Sequence, residues 1–425
     1  AVIASLKEKI NNLTLAGKAF IKEIETGFPS YSELIKPSQP TIADIQSMLI
    51  ADEALVSIFA GKDKTYIWAI PKSGTHQFVI VDYGKRKLRE TVAELRKALN
   101  PDIAALGDIP AFDVEKAYRL YTALLQPVEK SISSVQNLIV VADGPLGALP
   151  FSILPTKPGK LRNSSNILFD EYEDIDWLIR KTTVSRMPSA STLLTLRSVP
   201  PGDPARKAFI GFGDPLFSVE QQQEAKSSQT ESPMMLASRG GKIKLRGIRI
   251  VAQKNLDSKE VITSQLENLI RLPDTADEIK GIADSLKADP LADVFLGARA
   301  SEKVVKSMDL SDRRVIAFAT HALVPGDLDG LQQPALALSA PSITGDQEDG
   351  LLTMGEVLKL QLNADWVVLS ACNTGAAAGE GAEALSGLGR AFFYAGARSI
   401  LASMWPVETT SAYKLTTGIF KNQEE

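Results

Sequence analysis

Residues 366–372, Trp366-Val367-Val368-Leu369-Ser370-Ala371-Cys372, form an unbroken apolar run that ends in one reactive side chain. A second stretch has the same design: Val315-Ile316-Ala317-Phe318-Ala319-Thr320-His321. Continuous apolar strands, as opposed to alternating ones, are those of parallel sheets buried on both faces. In open α/β sheets the chemistry gathers outside the carboxyl ends of the strands. Each run therefore delivers its reactive residue to the edge where such a sheet carries a site. A helix begun by Thr353-Met354-Gly355-Glu356 lies between the two runs and supplies the crossover that lets them lie parallel.

The same alternation extends outward in both directions. Asn137–Ala142, Lys181–Ser185, Ala208–Phe212, Asp293–Leu296, Ala335–Ser339 and Ser399–Met404 read as strands. Helices are expected at 113–131, 189–197, 276–287, 301–308, 381–395 and 409–420. This pattern predicts an α/β fold with a mainly parallel sheet covered by helices on both faces. Upstream the pattern differs. Residues 1–26 carry Leu6, Ile10, Leu13, Phe20, Ile21 and Ile24 at helical spacing, and a capping-box start, Thr41-Ile42-Ala43-Asp44, opens a short helix. Ala54–Phe59, Thr65–Ile70 and Gln77–Val81 read as strands joined through the loop 71–75, and 85–99 as a helix. The expected division is an N-terminal helical and β-hairpin region over 1–135 and an α/β domain over 136–425. A polar flexible insertion, rich in Gln, Ser and Lys, occupies 218–262.

Composition removes several classes of function. The 425 residues carry 47 basic and 51 acidic side chains, a net charge of −4, without the basic excess of a nucleic-acid binder. No apolar run is long enough to cross a bilayer, and charge appears too early at the N-terminus for a secretory signal. The first residue is Ala1 and the last turn stops in a helical pattern, so a fragment or processed chain is expected. A single cysteine allows no internal disulfide and fits a reducing, cytoplasmic compartment. With two histidines besides, a zinc site is not expected, nor any other metal or cofactor.

That scarcity leaves few pairings. His321 and Cys372 would face each other across neighbouring strand ends, where an imidazole favours the thiolate and later protonates a leaving amine. A lone cysteine is more often a small buried apolar residue, and a lone histidine after a strand is more often structural. Their joint placement is what singles them out. His76 falls in a polar hairpin loop and reads as exposed. Gly211-Phe212-Gly213 is too short for a nucleotide fingerprint. The Gly/Ala-rich stretch 375–381 reads as a mobile substrate loop, and the basic run Lys242–Arg249 as a solvated loop or processing site.

The segment Asp365-Trp366-Val367-Val368-Leu369-Ser370-Ala371-Cys372-Asn373-Thr374-Gly375 resembles the nucleophile strand of CHAT domains, caspase-like proteins related in fold to caspases and separases. Further stretches resemble the same family in order. They are Asp143-Gly144-Pro145-Leu146 with Leu149-Pro150-Phe151, Pro188-Ser189-Ala190-Ser191, Gly213-Asp214-Pro215, Leu272-Pro273 with Asp277-Glu278-Ile279, and Ala319-Thr320-His321. Glu383–Phe392 and Met404-Trp405-Pro406-Val407 complete the pattern. Caspases place their histidine about 50 residues before the nucleophile, and here 372 − 321 = 51.

The resemblance implies a cysteine endopeptidase with Cys372 as nucleophile and His321 as base, the backbone N–H groups of Ala322 and Cys372 forming the oxyanion hole. Caspase-like proteins often carry Gly where this chain has Ala322; the N–H donor survives if φ stays negative. The residues around Cys372 depart from the caspase motif, so a preference for Asp before the cut is not carried over. Separase-like relatives cleave after Arg, which makes Asp143 and Glu408 the candidate substrate-binding anions. Local roles compete with this: Glu408 as a helix N-terminal carboxylate, Asp143 as a turn former. The implied partners are a protein or peptide substrate and a regulatory protein or upstream tetratricopeptide repeats, with no nucleic acid and no membrane. With a basic preference, self-cleavage between Arg239 and Arg249 follows as an expectation. An inactive caspase-like scaffold, or a thiol amidase or acyltransferase, remain the alternative readings.

Overall fold

A computed structural model describes residues 39–99, 109–142, 144–162, 169–227, 265–370, 380–404 and 409–421. The expected helix at 1–26 and most of the 218–262 insertion fall outside the described residues. The strands are β1 Glu53–Ala60, β2 Thr65–Pro71, β3 Gln77–Val81, β4 Asn137–Ala142, β5 Thr183–Met187, β6 Lys207–Gly213, β7 Val294–Leu296, β8 Arg313–Ala319, β9 Ala322–Leu323, β10 Ala335–Ala337, β11 Leu351–Thr353, β12 Trp366–Leu369 and β13 Ser399–Ala402. The helices that matter below are α1 Ile42–Met48, α2 Lys85–Leu99, α3 Val114–Leu124, α4 Ala190–Ser198, α5 Val219–Ser227, α6 Asp274–Ser285, α7 Glu302–Ser307, α8 Met354–Val357, α9 Glu380–Ala395 and α10 Thr409–Lys421.

The parallel-rich α/β architecture appears as two five-stranded sheets, in place of the one expected, with a small antiparallel sheet beside them. The first sheet has the order β3-β2-β1-β4-β5. Its β1–β2–β3 part is antiparallel, while β1, β4 and β5 run parallel. This sheet joins strands from both sides of residue 135, because Val56 of β1 pairs with Val140 of β4. The second sheet, β13-β12-β8-β6-β7, is parallel throughout. Its strands are the continuous apolar runs, buried because helices cover both faces.

Two features set the second sheet's shape. On one face Phe212 stacks between Phe295 and Phe318, at 5.3 and 5.2 Å between ring centroids, and Phe318 meets Phe392 of α9 at 5.8 Å. On the other face glycine lets α6 approach β6. A Cβ on Gly211 or Gly213 would lie within 2.8 Å of Ile279. Gly211-Phe212-Gly213 is thus a packing notch. At the amino end of the sheet Asp365 is ringed by Arg206, Arg314 and Arg398.

Local signals mostly held, with informative exceptions. The Thr41/Asp44 capping box opens α1, and Thr353/Glu356 cap α8 in the same way. The helix expected over 113–131 is broken, since Pro127 ends α3 and a short 3₁₀ turn precedes a separate helical turn, Glu129–Ile132. The start of the insertion is not loop. Val219–Ser227 is helical, and Gln221 anchors it by accepting from the Phe217 N–H (2.9 Å) and donating to the Leu269 carbonyl (2.7 Å).

Candidate active site

β8 and β12 lie side by side in parallel, with Phe318 opposite Leu369. The Ser370 N–H donates to the Phe318 carbonyl at 2.9 Å, carrying the pairing one residue further. The expected juxtaposition of the two apolar strands is therefore present. His321 lies two residues beyond Ala319, and Cys372 two residues beyond Ser370. Two residues of chain span at most about 7 Å. Cys372 itself, with 371–379, is outside the described residues, as are Asp143 and Glu408.

His321 is 3% exposed. The chain leaves the parallel sheet at this point, because β9 turns aside to pair with β10. The His321 carbonyl accepts from the Ala337 N–H at 2.9 Å, and the Thr320 hydroxyl donates to the Ala337 carbonyl. The imidazole is held on two sides. Its Nε2 is 2.7 Å from the Ile270 carbonyl oxygen, and the Phe217 ring packs against it at 5.7 Å. A carbonyl only accepts, so Nε2 carries the hydrogen and Nδ1 is the basic nitrogen.

The Ile270 carbonyl is itself clamped. Arg271 grips Asp214 through two hydrogen bonds, Nε to Oδ1 at 2.8 Å and Nη2 to Oδ2 at 2.6 Å. Thr275 donates to the Leu272 carbonyl and accepts from the Asp214 N–H, each at 2.7 Å. Burial pushes the Asp214 carboxyl above its ordinary range, and Arg271 opposes this. Sequence reasoning missed this support. Asp214 was visible only as part of a family landmark, and Arg271 stands 57 residues away with no local pattern joining them.

Ala322 opens β9 opposite Leu336. The Ala337 N–H bonded to the His321 carbonyl makes the neighbouring pair the hydrogen-bonded one. In an antiparallel ladder the N–H of Ala322 then points away from β10. Among the described residues the non-glycine positions with positive φ are Asp52, Phe169, Asp214 and Lys287, so Ala322 meets the negative-φ condition for keeping its donor.

Met404, just before residues 405–408, lies beside a buried cation, Arg96, and a half-buried one, Arg186. Arg96 donates to the carbonyls of Ala148 (2.6 Å) and Met404 (3.4 Å), and Arg186 to the Met404 sulfur (3.4 Å). Burial lowers both guanidinium pKa values from their ordinary level. Among the described residues one carboxylate trio, Glu302, Glu348 and Glu356, is close enough to share an ion. The chain supplies that cation itself: Lys306 Nζ donates to them at 3.1, 2.8 and 3.0 Å. His76 is exposed, as expected.

The fold defines a caspase-like α/β protein, with the buried His321 imidazole at the carboxyl edge of its parallel sheet. The family model of the CHAT domain matches residues 114–425, well over half of the chain, and the chain belongs to this family of proteins related to caspase-like cysteine peptidases. No curated protein matches the chain. Among the described residues no helix is long and apolar enough to cross a membrane.

Proposed function

We propose that the chain is a cysteine endopeptidase in which Cys372 and His321 form the working pair. The observation that carries this reading is the buried imidazole whose Nε2–H is committed to the Ile270 carbonyl. Its basic Nδ1 is thereby assigned at the carboxyl edge of β8, beside the strand that leads to Cys372. Nδ1 takes the thiol proton, and the thiolate attacks the peptide carbonyl. A C–S bond forms, the C–N bond breaks, and the imidazolium returns the proton to the leaving amine. Water, deprotonated by the same nitrogen, then hydrolyses the thioester and restores the thiol. The N–H groups of Ala322 and Cys372 are the proposed donors to the oxyanion.

Asp143 and Glu408 are the proposed holders of a basic side chain before the scissile bond. A desolvated cation needs a paired anion.

The test is a peptide library incubated with the wild-type chain and with Cys372→Ala, cleavage being read by mass spectrometry. Cleavage by the wild type and none by the variant is expected, since the thiol-to-methyl change is small and no second cysteine exists. Cleavage that persists in Cys372→Ala, or a wild type that turns over simple thioesters but no peptide, overturns the assignment. In the same library Glu408→Gln should lower turnover of Arg peptides more than of Leu peptides; equal losses remove Glu408 from the pocket.

A further inference from the structure

Glu278 is a carboxylate with no exposed surface, in the middle of α6. Its surroundings are otherwise those of a dry helix interface. α6 packs on β6 through the Gly211 and Gly213 notches. At Gly281, where a Cβ would lie 2.7 Å from Thr417 and 2.8 Å from Tyr413, it packs closely on α10. An ionisable group is costly in such a place unless fully hydrogen-bonded, and an apolar residue of similar size would pack there at less expense. The partners of Glu278 show what the carboxylate does. One oxygen accepts from the Ser370 hydroxyl at 2.9 Å, and the other from the Thr416 hydroxyl at 3.0 Å.

The first hydroxyl belongs to the strand end that leads to Cys372, and the second to α10, which packs on α6. Ser370 ends the described part of the nucleophile strand, two residues before Cys372. Thr416 lies in α10, which follows residues 405–408. The Thr416 hydroxyl oxygen also lies 2.9 Å from the Ala412 carbonyl, so its one proton is shared between that carbonyl and Glu278, and its direction is fixed within the helix. The planar carboxylate, held on a helix that glycine notches lock against the sheet, thus ties the end of β12 to α10 through one rigid group.

We propose that Glu278 is a positioning residue for the thiol chemistry: through Ser370 it fixes the carboxyl end of β12, and so the approach of Cys372 to His321. This inference rests on the Cys372–His321 reading. Ser370 also bonds the Phe318 carbonyl through its N–H, so the strand end is held from its main chain by β8 and from its side chain by α6. Removing the side-chain tether leaves the sheet pairing but loosens the strand end at Ser370.

The experiment is the pH profile of iodoacetamide alkylation at Cys372, the single cysteine, in the full chain, with thermal melting recorded alongside. The wild-type midpoint is expected below the free-thiol value of about 8.5. Ser370→Ala and Glu278→Ala should raise it by about one unit, toward the value seen in His321→Ala. Glu278→Gln, which keeps an acceptor for Ser370 and a donor for Thr416, should restore the wild-type midpoint. Thr416→Val should lower the melting temperature and leave the midpoint in place. A depressed wild-type midpoint that Ser370→Ala leaves unmoved overturns the inference, even if Glu278→Ala fails to fold. A wild-type midpoint already at the free-thiol value instead contradicts the Cys–His pairing itself, so the two failures are distinguishable.

Discussion

The two five-stranded sheets are built from similar strands, yet they do different work. β4 in the first sheet and β8 in the second are both apolar runs flanked by parallel neighbours. The first sheet ends in an antiparallel hairpin whose outer face leaves Phe59, Phe78 and Ile80 about half exposed. Its buried tie to the helices is Glu53, gripped by both Arg197 terminal nitrogens at 2.6 and 2.7 Å. In the second sheet every strand runs the same way, so all carboxyl ends open on one edge. The charged cluster around Asp365 lies at the opposite end. Uniform direction, more than apolar character, is what sets the carboxyl ends of β8 and β12 side by side on one edge. A mixed sheet divides its strand ends between two edges.

The contrast can be tested by breaking each sheet where it is most and least filled. Phe318→Ala removes the ring that joins the Phe212 stack to Phe392, and should cost about 3–5 kcal/mol of stability in denaturant unfolding. An effect below 1 kcal/mol would show that the aromatic stack does not hold the second sheet together.

A smaller effect belongs to the carboxylate cluster beside the second sheet. Burial, with Glu356 and Asp349 adding negative charge, pushes the Glu302 carboxyl up to about 8, and its Oε2 accepts from the Gly350 N–H. Lys306, Glu348 and Glu356 face the same point. Because the folded-state value lies above the unfolded one, the native chain binds more protons between about pH 4.5 and 8. Glu302 therefore contributes most at low pH, and its contribution declines as pH rises through about 8. The decline should appear as a melting temperature that falls as pH rises through that interval. Glu302→Gln should flatten it; an unchanged slope in the variant would assign the dependence elsewhere. Smallest of all, Phe78→Ser on the half-exposed face of the first sheet loses the ring contact with Trp68, 4.7 Å between centroids, and should cost about 1 kcal/mol. A larger loss would mean that this face is packed in solution.

Much of this was legible in the sequence because it is local. The limits of β3 and β4 follow from apolar runs, two helices from capping boxes, and the pairing of β8 with β12 from a crossover of ordinary length. The number of sheets was not legible. Nothing in Glu53–Ala60 says that it adds in parallel to Asn137–Ala142, a pairing across roughly eighty residues that only tertiary packing selects. The supports of His321 were hidden for the same reason. A main-chain carbonyl leaves no residue signature, and the Arg271–Asp214 and Glu278–Ser370 contacts join residues 57 and 92 positions apart. Glu278 could be quoted as a resemblance to a family segment, but its burial was not visible there.

The proposed pairing sets a basic imidazole nitrogen of His321 beside the thiol of Cys372 at the carboxyl edge of the second sheet. Alkylation of Cys372 by iodoacetamide as a function of pH, in the wild type and in His321→Ala, tests it most directly. The wild-type midpoint should lie below about 8.5 and rise to about that value in the variant, with the rate near neutral pH falling accordingly. Superposable profiles in the two proteins would contradict it.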